Sequence, residues 1–187
     1  MLSTKLFLLA LVSIAAQVSA VQIISVTNGG PLGSWGPLEL CPEGSVAIGY
    51  QTQNDLILVP VHDDTALNSI RLFCNDPDRT NITSSVGFTG TWELRQNCPE
   101  GSFLSSFRLR VAPYDSEASD NSAAHSIQFV CTDGTVLNFN GNSGGVWGDF
   151  SSGKCGAGIC GLQTRVQAQG GPLTDNTALN DVTFLCC

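Results

Sequence analysis

The chain has 187 residues, and its 8 Lys and Arg stand against 16 Asp and Glu for a net charge of −8 at pH 7. No cluster of Lys and Arg is available to neutralise phosphates, which argues against binding to nucleic acid or to anionic lipid. The length and the 42% hydrophobic content suit one domain that buries its own core.

Residues 1–20 read as a secretory signal peptide. One positive charge at Lys5 precedes an apolar run over 6–16, and Val18-Ser19-Ala20 offers the small residues of a cleavage site. The run is short for a bilayer span. Cleavage after Ala20 is therefore expected to release a soluble, extracellular domain over 21–187, with no remaining tie to the membrane. Losing Lys5 takes the net charge from −8 to −9. Acidity of that size favours solubility and cationic partners without specifying a fold.

From residue 24 the chain repeats itself, roughly over 24–79, 80–135 and 136–187. Each repeat brings a Trp beside Gly or Thr (Trp35, Trp92, Trp147) and then a cysteine, which begins Cys-Pro-Glu-Gly turns at Cys41 and Cys98. A strand pattern follows: Val46, Ile48 and Tyr50; Phe103, Phe107 and Leu109; Leu162, Thr164 and Val166. A variable loop then leads into a twelve-residue phrase: DDTALNSIRLFC from Asp63, DNSAAHSIQFVC from Asp120, DNTALNDVTFLC from Asp175. The copies start 57 and 55 residues apart, the mark of a repeat architecture. The Asp, Asn and hydroxyl residues of the phrase suit turns. Its alternating tail puts Ile70, Leu72 and Cys74, with their counterparts, on one face of a strand. Short alternating runs between Gly, Pro, Asn and Asp turns, with little helical period, indicate an all-β domain.

All eight cysteines lie in the released part, and an even number in a secreted chain implies four disulfides. Cys41 and Cys74 are 33 residues apart, Cys98 and Cys131 also 33, and Cys155 and Cys186 31. One bridge inside each repeat is therefore expected, with Cys160 and Cys187 left for the fourth. Neighbours Cys186 and Cys187 face opposite sides of a strand, and which of them takes Cys155 stays open. Zinc is not expected: the ligand spacing is wrong, and only His62 and His125 could help. No metal or other cofactor is predicted.

Four further features bear on function. Asn81-Ile82-Thr83 is the one glycosylation sequon with a permitted middle residue. The three Trp residues are expected to pack in the core at symmetric positions, the alternative being a sugar-stacking platform. The loops over 52–62, 112–119 and 167–174 form the plausible rim for a glycan, with Asn54, Asp55, Tyr114, Asp115 and Glu117 as candidates. Asp63, Asp64, Asp120 and Asp175 are read as turn formers, because one catalytic centre does not need three equivalent copies.

Many of these residues match a known family in order and in one frame. Ile24-Ser25-Val26-Thr27-Asn28-Gly29-Gly30, the Trp35 segment, DDTALNSIRLFC, Ser106-Phe107-Arg108-Leu109-Arg110-Val111, Cys160-Gly161-Leu162-Gln163-Thr164-Arg165 and DNTALNDVTFLCC carry the match. Over most of 21–187 the chain resembles the vitelline membrane outer layer protein I family. That resemblance implies a β-prism of three Greek-key sheets about a pseudo-threefold axis, one sheet per repeat. It also implies a secreted protein of egg coats or other extracellular layers. The second repeat departs from the family phrase at Ala124 and His125.

Three functions follow from this reading. The first is a structural or interaction protein of an extracellular coat, since stability devices are present without a nucleophile elbow, metal cluster or phosphate loop. The second is a carbohydrate-binding module using the loop rim. The third, chito-oligosaccharide transfer or glycoside hydrolysis, comes with the family resemblance and needs a carboxylate pair that sequence does not single out. Expected partners are extracellular coat proteins or glycans.

Overall fold

The computed structural model describes residues 21–55, 65–117, 121–138, 143–171 and 175–187. The expected signal peptide over 1–20, His62, Asp63, Asp64 and Asp120 lie outside those residues. Every regular element among the described residues is a strand: β1 (Gln22–Ile24), β2 (Ser34–Trp35), β3 (Glu39–Leu40), β4 (Ala47–Asn54), β5 (Leu67–Cys74), β6 (Asn81–Thr83) and β7 (Thr91–Trp92). The second half continues with β8 (Gln96–Asn97), β9 (Leu104–Val111), β10 (Ala124–Cys131), β11 (Val136–Asn138), β12 (Val146–Trp147), β13 (Ile159–Val166) and β14 (Leu179–Cys186).

Three antiparallel hairpins, β4–β5, β9–β10 and β13–β14, make the centres of three sheets. A three-residue strand lies beside the second member of each: β6 on β5, β11 on β10, β1 on β14. Two-residue strands lie beside the first member: β7 and β8 on β4, β12 on β9, β2 and β3 on β13. The spatial order β7-β4-β5-β6 and its equivalents is that of a Greek key. The chain is a β-prism. Each sheet takes its hairpin from one repeat and its short strands from the opening of the next, and the N-terminal segment completes the last sheet.

Alternation builds the core. In β9, Leu104, Phe107, Leu109 and Val111 are buried while Arg108 and Arg110 reach outward, and β4 and β13 follow the same pattern. Tyr50 meets Phe129 at 4.7 Å between centroids, Phe129 meets Phe184 at 5.2 Å, and Phe107 meets Phe184 at 4.7 Å. One aromatic cluster drawn from all three sheets thus fills the middle of the prism, where such contacts add to the area they bury.

Each hairpin is bulged twice at matching places. Near the phrase start, Asn68, His125 and Asn180 are the extra residues. Near the other end they are Ile48, Ser105 and Cys160. Bulges strengthen the twist that lets three sheets close around one core.

The disulfides join Cys41 to Cys74, Cys98 to Cys131, Cys155 to Cys186 and Cys160 to Cys187. Cys155 therefore takes Cys186, the alternative that sequence left open. Cys41 follows β3 and its backbone N–H donates to Cys160 in β13, whereas Cys74 ends β5 in the next sheet. Cys98 is tied in the same way to Ile48 in β4, and Cys155 to Ser105 in β9. The three repeat disulfides therefore run between sheets, from third to first, first to second and second to third. Covalently, the ring of sheets is closed.

Candidate functional site

The β9–β10 and β13–β14 connections meet at the end of the prism opposite the inter-sheet disulfides. Asn121, buried there, is the hub. Its backbone N–H donates to Asp175 Oδ1 and its Nδ2 to Asp175 Oδ2, each at 2.8 Å. The same Nδ2 donates to the Asp115 carbonyl at 3.0 Å, and Asn121 Oδ1 accepts the Asp115 N–H at 2.9 Å. The phrase of the third repeat thus grips the phrase of the second, whose Asn121 in turn holds the loop at Asp115. In the third loop Asn176 plays the local part, its Oδ1 accepting the Gly170 N–H at 2.6 Å.

The predicted rim residues separate in the structure. Tyr114 is 49% exposed, and Asp115 and Glu117 are exposed beside it. The Glu117 N–H donates to Asp115 Oδ1 at 2.9 Å, an Asx turn that presents the tyrosine. Asp55 is half-exposed where its backbone N–H donates to Ala66. Asn54 is 2% exposed and its Nδ2 donates to Thr52 Oγ1 at 2.9 Å, so this residue is out of reach of a ligand on the rim.

Beneath the rim lies a layer that sequence reasoning missed. Asn68 Nδ2 donates to Thr65 Oγ1 at 2.7 Å, Asn180 Nδ2 to Thr177 Oγ1 at 2.7 Å, and His125 Nε2 pairs with Ser122 Oγ at 2.8 Å. These are the bulge residues of the three hairpins. Each faces a glycine with no room for a side chain: a Cβ on Gly87 would sit 2.2 Å from Asn68 Oδ1, one on Gly144 2.2 Å from His125 Cε1, and one on Gly30 2.6 Å from Asn180 Oδ1. His125 is 5% exposed and its Nδ1 has no hydrogen-bond partner among the described residues. Burial, and secondarily the nearby Arg110 guanidinium, lower its pKa to about 4. The recurring hydroxyl-x-x-Asn of the first and third phrases was the available signal for this layer.

The tryptophans contradict the expectation of a core role. Trp35 is 42% exposed, and Trp92 and Trp147 are half-buried. Their strand partners are the outward-facing Arg165, Gln53 and Arg110, and directly opposed residues share a face. The indoles therefore lie on the outer faces of the sheets, and Phe and Tyr fill the centre instead. The Arg71 guanidinium stacks 3.9 Å from the Trp92 ring centroid, and that of Arg108 lies 4.8 Å from Trp147. Gly33, Gly90 and Gly145, two residues before each Trp, have positive φ and abut backbone atoms of the hairpins. Their carbonyls accept from Arg165, Gln53 and Arg110.

Asn81 is exposed at the start of edge strand β6, accessible for a glycan. Two open recesses lie away from the rim, one of about 450 Å³ bounded by Asp76, Arg79 and Arg95, the other of about 350 Å³ bounded by Leu40, Pro42 and Leu185. Among the described residues no group of three His, Cys, Asp or Glu side chains is placed to hold a metal ion.

Comparison with known proteins agrees with the architecture. Solved structures of similar fold include frutapin, a lectin from Artocarpus incisa (15% identity, TM-score 0.57, covering 91% of this chain and 100% of that one). A mannose-specific jacalin-related lectin from Morus nigra in complex with mannose is another (13% identity, TM-score 0.56, covering 92% and 98%). At such identities the likeness is one of fold. The vitelline membrane outer layer protein 1 homolog of Mus musculus is 41% identical over 170 residues, covering 89% of this chain and 83% of that protein. The Homo sapiens homolog of the same name is 42% identical over 170 residues, covering 88% and 82%. The model of the family described as vitelline membrane outer layer protein I matches residues 22–187. With fold, repeats and relatives in agreement, the chain belongs to the vitelline membrane outer layer protein I family.

Proposed function

We propose that this chain is a secreted structural and interaction protein of an extracellular coat. The carrying observation is the family match across 22–187, which spans the entire prism. The ring of inter-sheet disulfides supports the same reading, since cross-links of this kind form and persist outside the cytosol. In this reading residues 1–20 are the signal peptide, Asn81 carries a glycan, and the partners are coat proteins or glycans. The test is to express the full chain in a secreting epithelium and fractionate the extracellular layer. The product is expected to begin at Val21 and to remain with the layer through salt washing. Retention inside the cell, or complete release in the first wash, would sink the proposal.

Glycan binding is the second reading, favoured by exposed Tyr114 in the same loop as the exposed Asp115 and Glu117. An aromatic face can stack on a sugar while carboxylates accept its hydroxyls. The fold shared with a lectin solved in complex with mannose fits this reading. A glycan array should then give a signal that Tyr114→Ala removes, and a blank array would dispose of the idea.

A further inference from the structure

The three outer faces of the prism are built alike but finished differently. Gln51, Arg108 and Gln163 occupy equivalent places on the first strands of the hairpins, and Arg71, Gln128 and Thr183 on the second. In the first sheet Arg71 lies on Trp92, held by Thr83 Oγ1 at 3.3 Å and Gln51 Oε1 at 3.4 Å. In the second sheet Arg108 lies near Trp147 and Phe150, with its Nε donating to Gln128 Oε1 at 2.7 Å. The third sheet has Gln163 and Thr183 at those two places, and among the described residues no arginine covers Trp35. Gln163 turns aside to donate to the Gly36 carbonyl at 2.8 Å, and Arg165 to donate to Gly33 at 3.2 Å.

Charge follows the same division. The strands of the third sheet carry Glu39, Asp181 and Arg165, a net charge of −1. Those of the first carry Arg71 (+1), and those of the second carry Arg108 and Arg110 (+2). Two indoles thus sit under internal arginines on cationic faces, whereas the most exposed one lies on a face where Arg165 is balanced by Asp181 opposite it.

We propose that the open face of Trp35 is a docking site for an arginine side chain of a basic partner protein. The molecule supplies its own precedents for what covers a tryptophan at this position. A planar, weakly hydrated guanidinium stacks on indole better than a compact ammonium does. Exposed Leu38 and Leu40, three and five residues further along the chain, give the rest of the partner's chain an apolar surface. The site deepens the coat reading by naming the chemistry of a partner, and rests on that reading only for where the partner is met.

The probe is an acetylated, amidated hexa-arginine peptide titrated into the folded, oxidised protein, with the three indole N–H signals followed by NMR. The Trp35 signal is expected to shift saturably while those of Trp92 and Trp147 stay still. Thr183→Arg places an internal arginine where Arg71 stands in the first sheet. This variant should displace the Trp35 signal without peptide and weaken peptide binding about tenfold, as Trp35→Ala should. Because Thr183→Arg leaves the indole in place, the test survives any misfolding of Trp35→Ala. Equal shifts of all three indoles, no shift of Trp35, or undiminished binding to Thr183→Arg would overturn the proposal. So would chitotriose moving the Trp35 signal while the peptide leaves it unchanged. Failure here would leave retention in the extracellular layer untouched, and loss of that retention would leave peptide binding untouched.

Discussion

His125 occupies the bulge position that Asn68 and Asn180 fill in the other two hairpins, and only the histidine can titrate there. Its neighbours set the direction. The ring is buried, Ser122 pairs with Nε2, and Arg110 is the nearby cation. The folded pKa of about 4 lies below the ordinary 6.5. Between those values the unfolded chain binds more protons, so stability falls as pH drops through that window and is unaffected by this group above it. Two carboxyls are shifted as well: burial pushes Asp181 up, and the Thr135 backbone N–H holds Asp133 down. His125→Asn installs the residue of the sister hairpins. It should leave the melting temperature near pH 7 almost unchanged and recover on the order of 2 kcal/mol of the stability otherwise lost near pH 4. Parallel pH dependence in the two proteins, measured by thermal unfolding, would show that the histidine is not the titrating group.

At the level of strands, the hairpins follow from alternation, and the repeat disulfides from spacing. What sequence could not show was which sheet each short strand joins. Strands of two or three residues have no period to detect, and β1 finds β14 across the length of the chain. The outward turn of the tryptophans was hidden for the same reason, since their orientation comes from opposed residues such as Arg165 and Gln53. Of the proposed rim, the exposed Tyr114, Asp115 and Glu117 lie in a variable loop that announces itself in the sequence, whereas nothing there marked Asn121 as the residue that organises it. The fourth disulfide differs in kind from the others. Cys160 is the bulge residue of β13, and Cys187 follows β14 of the same sheet, closing a loop of 27 residues. The equivalent bulge in β9 is Ser105, whose hydroxyl donates to the Cys155 carbonyl at 3.0 Å. The double substitution Cys160→Ser with Cys187→Ser should therefore keep the prism and cost about 3 kcal/mol in chain entropy. Chemical denaturation with the other three bridges mapped as intact would measure it, and a loss of cooperative unfolding would mean that this bridge is needed for the fold itself.

For the molecule as a whole, the decisive property is that the ring closes between the ends of the chain. Gln22 stands opposite Cys186, and β1 occupies in the third sheet the place that β6 and β11 occupy in the others. The break in the chain therefore falls at one of three equivalent connections, between the second hairpin strand and the edge strand beside it. In the second sheet that connection is residues 132–135, between β10 and β11. Pseudo-threefold symmetry makes the location of the break arbitrary for stability, provided every sheet still receives its short strands and every disulfide its partners. A circular permutant tests this directly. Joining Cys187 to Val21 through about four Gly and Ser residues, and opening the chain between Asp133 and Gly134, moves the break from the third sheet to the second. The exposed side chain of Asp133 and the positive φ of Gly134 mark a surface turn there. The permutant is expected to form the same four disulfides and to melt cooperatively, within a few degrees of the natural chain. The new cut loses the Asp133 contacts to Thr135 and Ser102, which accounts for a small deficit. A permutant that collects scrambled disulfides would mean that the prism must start from β1 docking on β14, and that its three faces, alike in structure, are unequal in folding.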